Sequence, residues 1–68
     1  MKITLNNREE EIPGRDRMTV SELLDYKQFS FKFLVVRING KTIKPGEYES
    51  SLIGDGDQVQ VIHLISGG

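Results

Sequence analysis

Val59-Gln60-Val61-Ile62-His63-Leu64-Ile65 is followed by Ser66 and then by Gly67-Gly68. The first seven residues read as a β-strand. Val59 and Val61 share one face, and Gln60, Ile62 and Leu64 share the other, because successive side chains in a strand point to opposite sides. Two residues without side chains follow almost at once. A strand that runs out into Gly67-Gly68 is suited to presenting its own terminal carboxylate. The plainer reading is a frayed end, since termini are often mobile and glycine-rich. With glycine at about 7% of residues, a chance Gly-Gly ends roughly one chain in 200. The remainder of the sequence has to decide between the two.

The bulk numbers narrow the field. Sixty-eight residues make one domain, here residues 1–68 with a flexible Gly67-Gly68 tail. Such a chain buries only about 60% of its unfolded surface, so its small core must be well organised. The absence of cysteine excludes a disulfide framework, a thiolate zinc site and a cysteine nucleophile, and fits a reducing cytoplasm. A net charge of −1, built from interspersed residues of both signs, lacks the basic footprint of a nucleic-acid binder. No stretch is long and apolar enough to span a bilayer, and Met1-Lys2-Ile3-Thr4-Leu5 has no signal-peptide core. The lone histidine, His63, reads as an ordinary strand residue. Ser51, His63 and Asp57 have no spacing that suggests a triad.

Upstream of the last strand, the pattern divides cleanly. Lys2-Ile3-Thr4-Leu5 alternates like a half-buried strand, Asn6-Asn7 suits a tight turn, and Arg8 to Ile12 returns as a second strand with a solvated charged face. Pro13-Gly14 ends it. Thr19-Val20-Ser21-Glu22 is a capping box, with Met18 and Leu23 placed as a hydrophobic staple. Val20, Leu23 and Leu24 then share a helical face, which Lys27 extends, so a short helix is predicted from Val20 to Lys27. It is too short to hold alone and must dock on a sheet. Phe29, Phe31 and Phe33 alternate with polar residues and fit either the core or a partner-facing patch. Leu34 to Ile38 is a β-branched strand, and Asn39-Gly40 turns it into a fourth strand, Lys41 to Lys44. Glu47 to Ile53 has no period and reads as an irregular connection with Tyr48 and Leu52 turned inward. Gly54-Asp55-Gly56-Asp57 is a turn. It lacks the remaining ligand positions of a calcium loop.

This order calls for a right-handed crossover from the first hairpin through the helix. The economical arrangement sets the first and last strands side by side, parallel, at the centre of the sheet. The expected fold is therefore α+β, a β-grasp or ubiquitin-like mixed sheet of four to five strands with one short helix across one face. The core candidates are Ile3, Leu5, Leu23, Leu24, Val36, Ile38, Leu52, Val59 and Val61.

Four motifs in this order carry a family resemblance: Thr19-Val20-Ser21-Glu22-Leu23-Leu24, Val36-Arg37-Ile38-Asn39-Gly40, Asp55-Gly56-Asp57-Gln58-Val59 and Gly67-Gly68. Together they span nearly the whole chain, which resembles the ThiS/MoaD-type sulfur carriers. Within that family the length and the Ile-Ser-Gly-Gly ending are closer to the thiamine-biosynthesis branch than to the molybdopterin branch, whose members tend to carry proline near the end. The resemblance implies a carrier and co-substrate, not an enzyme. A ubiquitin-activating-type enzyme, ThiF-like or MoeB-like, would use ATP to adenylate the Gly68 carboxylate. A sulfur donor would convert it to a thiocarboxylate, and a ThiG-like thiazole synthase would take the sulfur for the thiazole of thiamine. No bound cofactor, metal, nucleic acid or membrane is implied, and the compartment is the cytoplasm.

A carboxylate is a poor electrophile until it is given a leaving group, and glycine removes the Cβ that would obstruct approach to its carbonyl. Ser66 and Gly67 would form the tail that enters the partner's site. Ile62 and Leu64, on the face opposite the helix, are candidates for the docking patch, with Arg37 and Lys41 at its rim. Two scattered exposed apolar residues are also ordinary surface. Other readings remain open at this level: a carrier for molybdopterin or another sulfur acceptor, a protein modifier joined through Gly68, and a non-covalent β-grasp interaction module. The last has no use for the terminal glycines.

Overall fold

A computed structural model describes residues 1–29 and 33–64. Strands β1 (Lys2–Leu5) and β2 (Arg8–Glu11) form an antiparallel hairpin in which Lys2 faces Glu11 and Leu5 faces Arg8. Asn6 and Asn7 turn it with φ of 51° and 66°, the left-handed pair that matches the twist of a two-residue hairpin. Ile12 lies just beyond β2 rather than in it. It is nonetheless buried, and its N–H donates to the Met1 carbonyl at 2.7 Å.

Helix α1 spans Val20–Tyr26, with Lys27 as its C-cap. Its start is fully provided for. The Thr19 N–H donates to Glu22 Oε1 at 2.9 Å, and the Glu22 N–H donates to Thr19 Oγ1 at 3.1 Å, which is the expected capping box. The two preceding helical N–H groups donate outward, Val20 to the Ser51 carbonyl and Ser21 to the Tyr48 carbonyl. The donors that a helix N-terminus leaves orphaned thus tie α1 to the segment from Tyr48 to Ser51. The far end closes as a Schellman motif: Phe29 N–H donates to Leu24 O and Gln28 N–H to Asp25 O. Gln28 occupies the left-handed position, φ 57°, usually held by glycine.

The segment before the helix and the segment read as irregular form a small second sheet. Strand β3 (Arg17–Thr19) pairs antiparallel with β6 (Leu52–Gly54), setting Met18 opposite Ile53. This corrects one core assignment. Leu52 is 55% exposed, whereas Ile53, next to it, is fully buried. Three-residue strands carry too little alternation to reveal which residue faces in. Pairing with Met18, distant in sequence, decides it. Tyr48 is buried as expected, and loss of hydration pushes its phenol above the ordinary range.

Strands β4 (Leu34–Ile38) and β5 (Lys41–Ile43) form the second hairpin, turned by Asn39 and Gly40 at φ 51° and 84°. β5 stops one residue short of Lys44, which leads into a 3₁₀ turn over Pro45–Glu47. The last strand, β7 (Gln58–His63), pairs parallel with β1 and antiparallel with β4. The main sheet has the order β2-β1-β7-β4-β5, with the first and last strands adjacent at its centre. This is the β-grasp arrangement. Helix α1 covers one face, burying Val20, Leu23 and Leu24 against Ile3, Leu5, Val36, Ile43, Val59 and Val61; Ile38 is half-buried at the margin. Lys27 reaches from the helix end to Glu10 of β2 at 3.1 Å, so its ammonium is paired.

Candidate docking face and tail

The candidate site is built on the second half of β7. Asn39 places the start of the strand: its Oδ1 accepts from Gln58 N–H at 2.9 Å, and its Nδ2 donates to Asp57 Oδ1 at 3.1 Å. Asp57 Oδ2 accepts from Gly54 N–H, and Asp55 Oδ1 accepts from Lys2 N–H. Both aspartates of the Asp-Gly-Asp turn are therefore engaged in fixing the entry to β7. Among the described residues no group of three or more His, Cys, Asp or Glu is placed to hold a metal.

β7 is longer than its parallel neighbour. The β1 ladder reaches Leu5 opposite Val59, and Asn6 N–H donates to Val59 O at 2.9 Å. One step further, where the chain of β1 has already turned away, the Asn6 side chain takes over: its Oδ1 accepts from Val61 N–H at 2.8 Å. Among the described residues, the strand beyond Val61 is paired only on its β4 side, with Ile62 opposite Val35 and His63 opposite Leu34. The Leu64 N–H donates to Phe33 O. The end of β7 is thus held by β4 and by the Phe33 carbonyl.

Parity then sorts the side chains. Val59 and Val61 face the helix and are buried; Ile62 is 40% exposed, and Leu64 is 54% exposed. Ile62 and Leu64 therefore lie on the solvent side, as the alternation in β7 predicted. Ser66, Gly67 and Gly68 lie outside the described residues, as do Ile65 and Phe31. Arg37 stands on the same face as Ile62, because it is in register with Gln60. Lys41 does not. Its partner is Ile38, two residues from buried Val36, so its parity belongs to the helix side and it is removed from the rim of the patch. Cross-strand register decides this, and a single strand read alone does not show it.

One member of the face was not singled out from sequence: Val35, half-buried, lies directly opposite Ile62. Phe33, which the sequence left between core and partner-facing patch, is 73% exposed beside Leu64. Leu34-Val35-Val36 is an unbroken apolar run, so composition alone gives no sign of an exposed face there. The two described phenylalanines differ in burial. Phe29 is half-buried against the core and meets the His63 ring edge-on at a centroid distance of 5.8 Å, whereas Phe33 is exposed. His63 is accordingly a strand residue packed on an aromatic neighbour. Among the described residues no helix is long and apolar enough to cross a membrane.

Comparison with known proteins agrees with this geometry. The ThiS family model matches residues 3–68. The crystal structure of the thiamine biosynthesis protein ThiS from Geobacter metallireducens has a TM-score of 0.90 to this chain at 25% identity, and each chain is covered in full. The solution NMR structure of a thiamine biosynthesis protein from the same organism has a TM-score of 0.83 at 25% identity, covering all of this chain and 88% of the other.

Proposed function

This chain belongs to the ThiS family, and from that premise we propose that it is a sulfur carrier for the thiazole of thiamine, acting in the cytoplasm as a co-substrate rather than a catalyst. Gly68 is the reacting residue. A carboxylate oxygen of Gly68 attacks the α-phosphorus of ATP in the site of a ThiF-like or MoeB-like enzyme, and pyrophosphate leaves. A hydrosulfide ion delivered by a sulfur donor then attacks the acyl carbon, expels AMP and loses its proton, so the terminal carboxylate becomes a thiocarboxylate. A ThiG-like synthase receives that sulfur. Gly67 and Ser66 form the thread that carries the acyl group into each partner.

The observation that supports this reading is the division of labour along β7. Val59 and Val61 anchor the strand in the core, and Ile62 and Leu64, next in line, stand exposed, immediately before residues 65–68. A partner that grips Ile62 and Leu64 holds the tail at a fixed offset. Proximity of this kind turns a rare encounter into an effectively intramolecular one. The glycines lose much backbone entropy on entering a narrow channel, and the docking patch offsets that cost.

Intact mass spectrometry tests the proposal. The protein is incubated with ATP, its cognate adenylating enzyme and a sulfide source. Exchange of one terminal oxygen for sulfur, about 16 Da by elementary mass difference, is expected for the full chain and not after deletion of Gly68. A terminus that stays a carboxylate, with an enzyme proven on another carrier, would overturn it.

A further inference from the structure

The docking face carries a cation, Arg37, that forms no ion pair among the described residues. Arg37 sits on β4, second from the sheet edge, and is exposed on the face opposite the helix. Its in-register neighbours are Gln60 on one side and Thr42 on the other, both neutral. The positions two residues away on the same face of β4 and β7 include Val35 and Ile62. The ion pairs found among the described residues engage Lys2, Arg15 and Lys27 instead. Among the described residues the acids at strand positions of this face are Glu9 and Glu11 of β2, at the far edge, and Glu9 is already paired with Lys2 at 3.4 Å. Asp57, at the Asn39 turn, is engaged by Asn39 Nδ2 and Gly54 N–H. Three strand spacings separate β4 from β2, about 14 Å, which exceeds a screening length at physiological salt.

We infer that Arg37 is the residue by which this face selects and orients its protein partner, taking an Asp or Glu that the adenylating enzyme presents beside the apolar recess for Ile62 and Val35. The inference rests on the carrier reading above and adds the chemistry of the partner surface. A guanidinium is planar, always charged and weakly hydrated, and it pairs with a carboxylate through two parallel hydrogen bonds. Beside Ile62 and Val35, docking removes water from around it and strengthens that pair. The acidic far edge supplies the complement. With the cation at β4 and acids at β2, a partner carboxylate is attracted in one orientation and repelled in the reverse one. That orientation points the end of β7, and so the tail, in a single direction. Complementary charge of this sort acts on association rate and partner choice more than on total affinity.

The test measures association of the full chain with its cognate adenylating enzyme at low and high salt, using R37E, R37K and I62D. R37E is expected to slow association about tenfold at low salt and to lose most of the salt dependence, with R37K keeping most of the wild-type rate. Its thermal midpoint should match wild type; if R37E fails to fold, R37A removes the charge without reversing it and is read the same way. R37E within twofold of wild type at low salt, alongside I62D that no longer docks, overturns the role of Arg37 and leaves the docking face standing. Unchanged docking by both variants overturns the face itself and the inference with it.

Discussion

A step of one residue along β7 should separate folding from docking, and the contrast between V61D and I62D measures it. Val61 is 4% exposed and faces Val36, itself fully buried, across the β4 ladder. An aspartate there sets a carboxylate against apolar walls with no partner. Lost apolar burial costs about 1.5–3 kcal/mol, and an uncompensated buried charge adds about 3–5 kcal/mol. The total is about 5–8 kcal/mol, against a stability of about 3–10 kcal/mol for a chain of this length. V61D should be largely unfolded at neutral pH. The introduced carboxyl has a raised pKa in the folded state, so its penalty shrinks as pH falls and partial refolding is expected near pH 4. Ile62 is 40% exposed, so its aspartate forfeits only part of one side chain's burial, about 1–2 kcal/mol. For a domain this small that lowers the thermal midpoint by roughly 5–15 °C and leaves the fold intact. Circular dichroism melts and urea titrations of both variants, with a binding assay against the adenylating enzyme, provide the readout. I62D should be folded and deficient in docking. If V61D melts within a few degrees of wild type, or I62D unfolds as completely as V61D, the assignment of faces along β7 is wrong.

I53A should destabilise by about 2–5 kcal/mol through cavity formation, whereas L52A, its exposed neighbour, should stay within about 0.5 kcal/mol of wild type; equal effects in urea denaturation would contradict the β3–β6 register. T19A removes the acceptor for Glu22 N–H and should cost about 1 kcal/mol, measured by chemical denaturation. The Glu22 carboxyl is held below its ordinary value first by the Thr19 backbone N–H and then by Arg15. Because the folded state lowers this pKa, the associated stability is present above about pH 4.5 and is lost as pH falls through the depressed value. E22Q should flatten that acid limb in a pH series of thermal melts, and an unchanged limb would assign it to other carboxylates. Q28G should stabilise by about 0.5–1 kcal/mol, because glycine adopts the left-handed Schellman position without a Cβ penalty; a lower midpoint would refute that account of the helix C-terminus.

The sequence by itself determined the elements whose signals are local. Asn6-Asn7 and Asn39-Gly40 specify their hairpins because few residues tolerate positive φ twice in succession. Thr19 and Glu22 specify the helix start because a capping box closes within one turn, and the alternation in β7 specifies that Val59 and Val61 face opposite to Ile62 and Leu64. The sheet order followed, since a hairpin, a crossover helix and a second hairpin admit few right-handed layouts. Tertiary structure alone decided what depends on distant partners. Leu52 and Ile53 are both apolar, and only pairing of β6 with β3 turns Ile53 inward. Alternation about Val36 and Ile38 already turned Arg37 outward; that Val35 lies beside Ile62, and that Lys41 falls on the helix side, came from cross-strand register. The helix ends at a Schellman motif without glycine because Gln28 is held left-handed by bonds to the preceding turn. In each case the chemistry of the residue permits two placements of similar local energy, and burial against residues remote in sequence selects one.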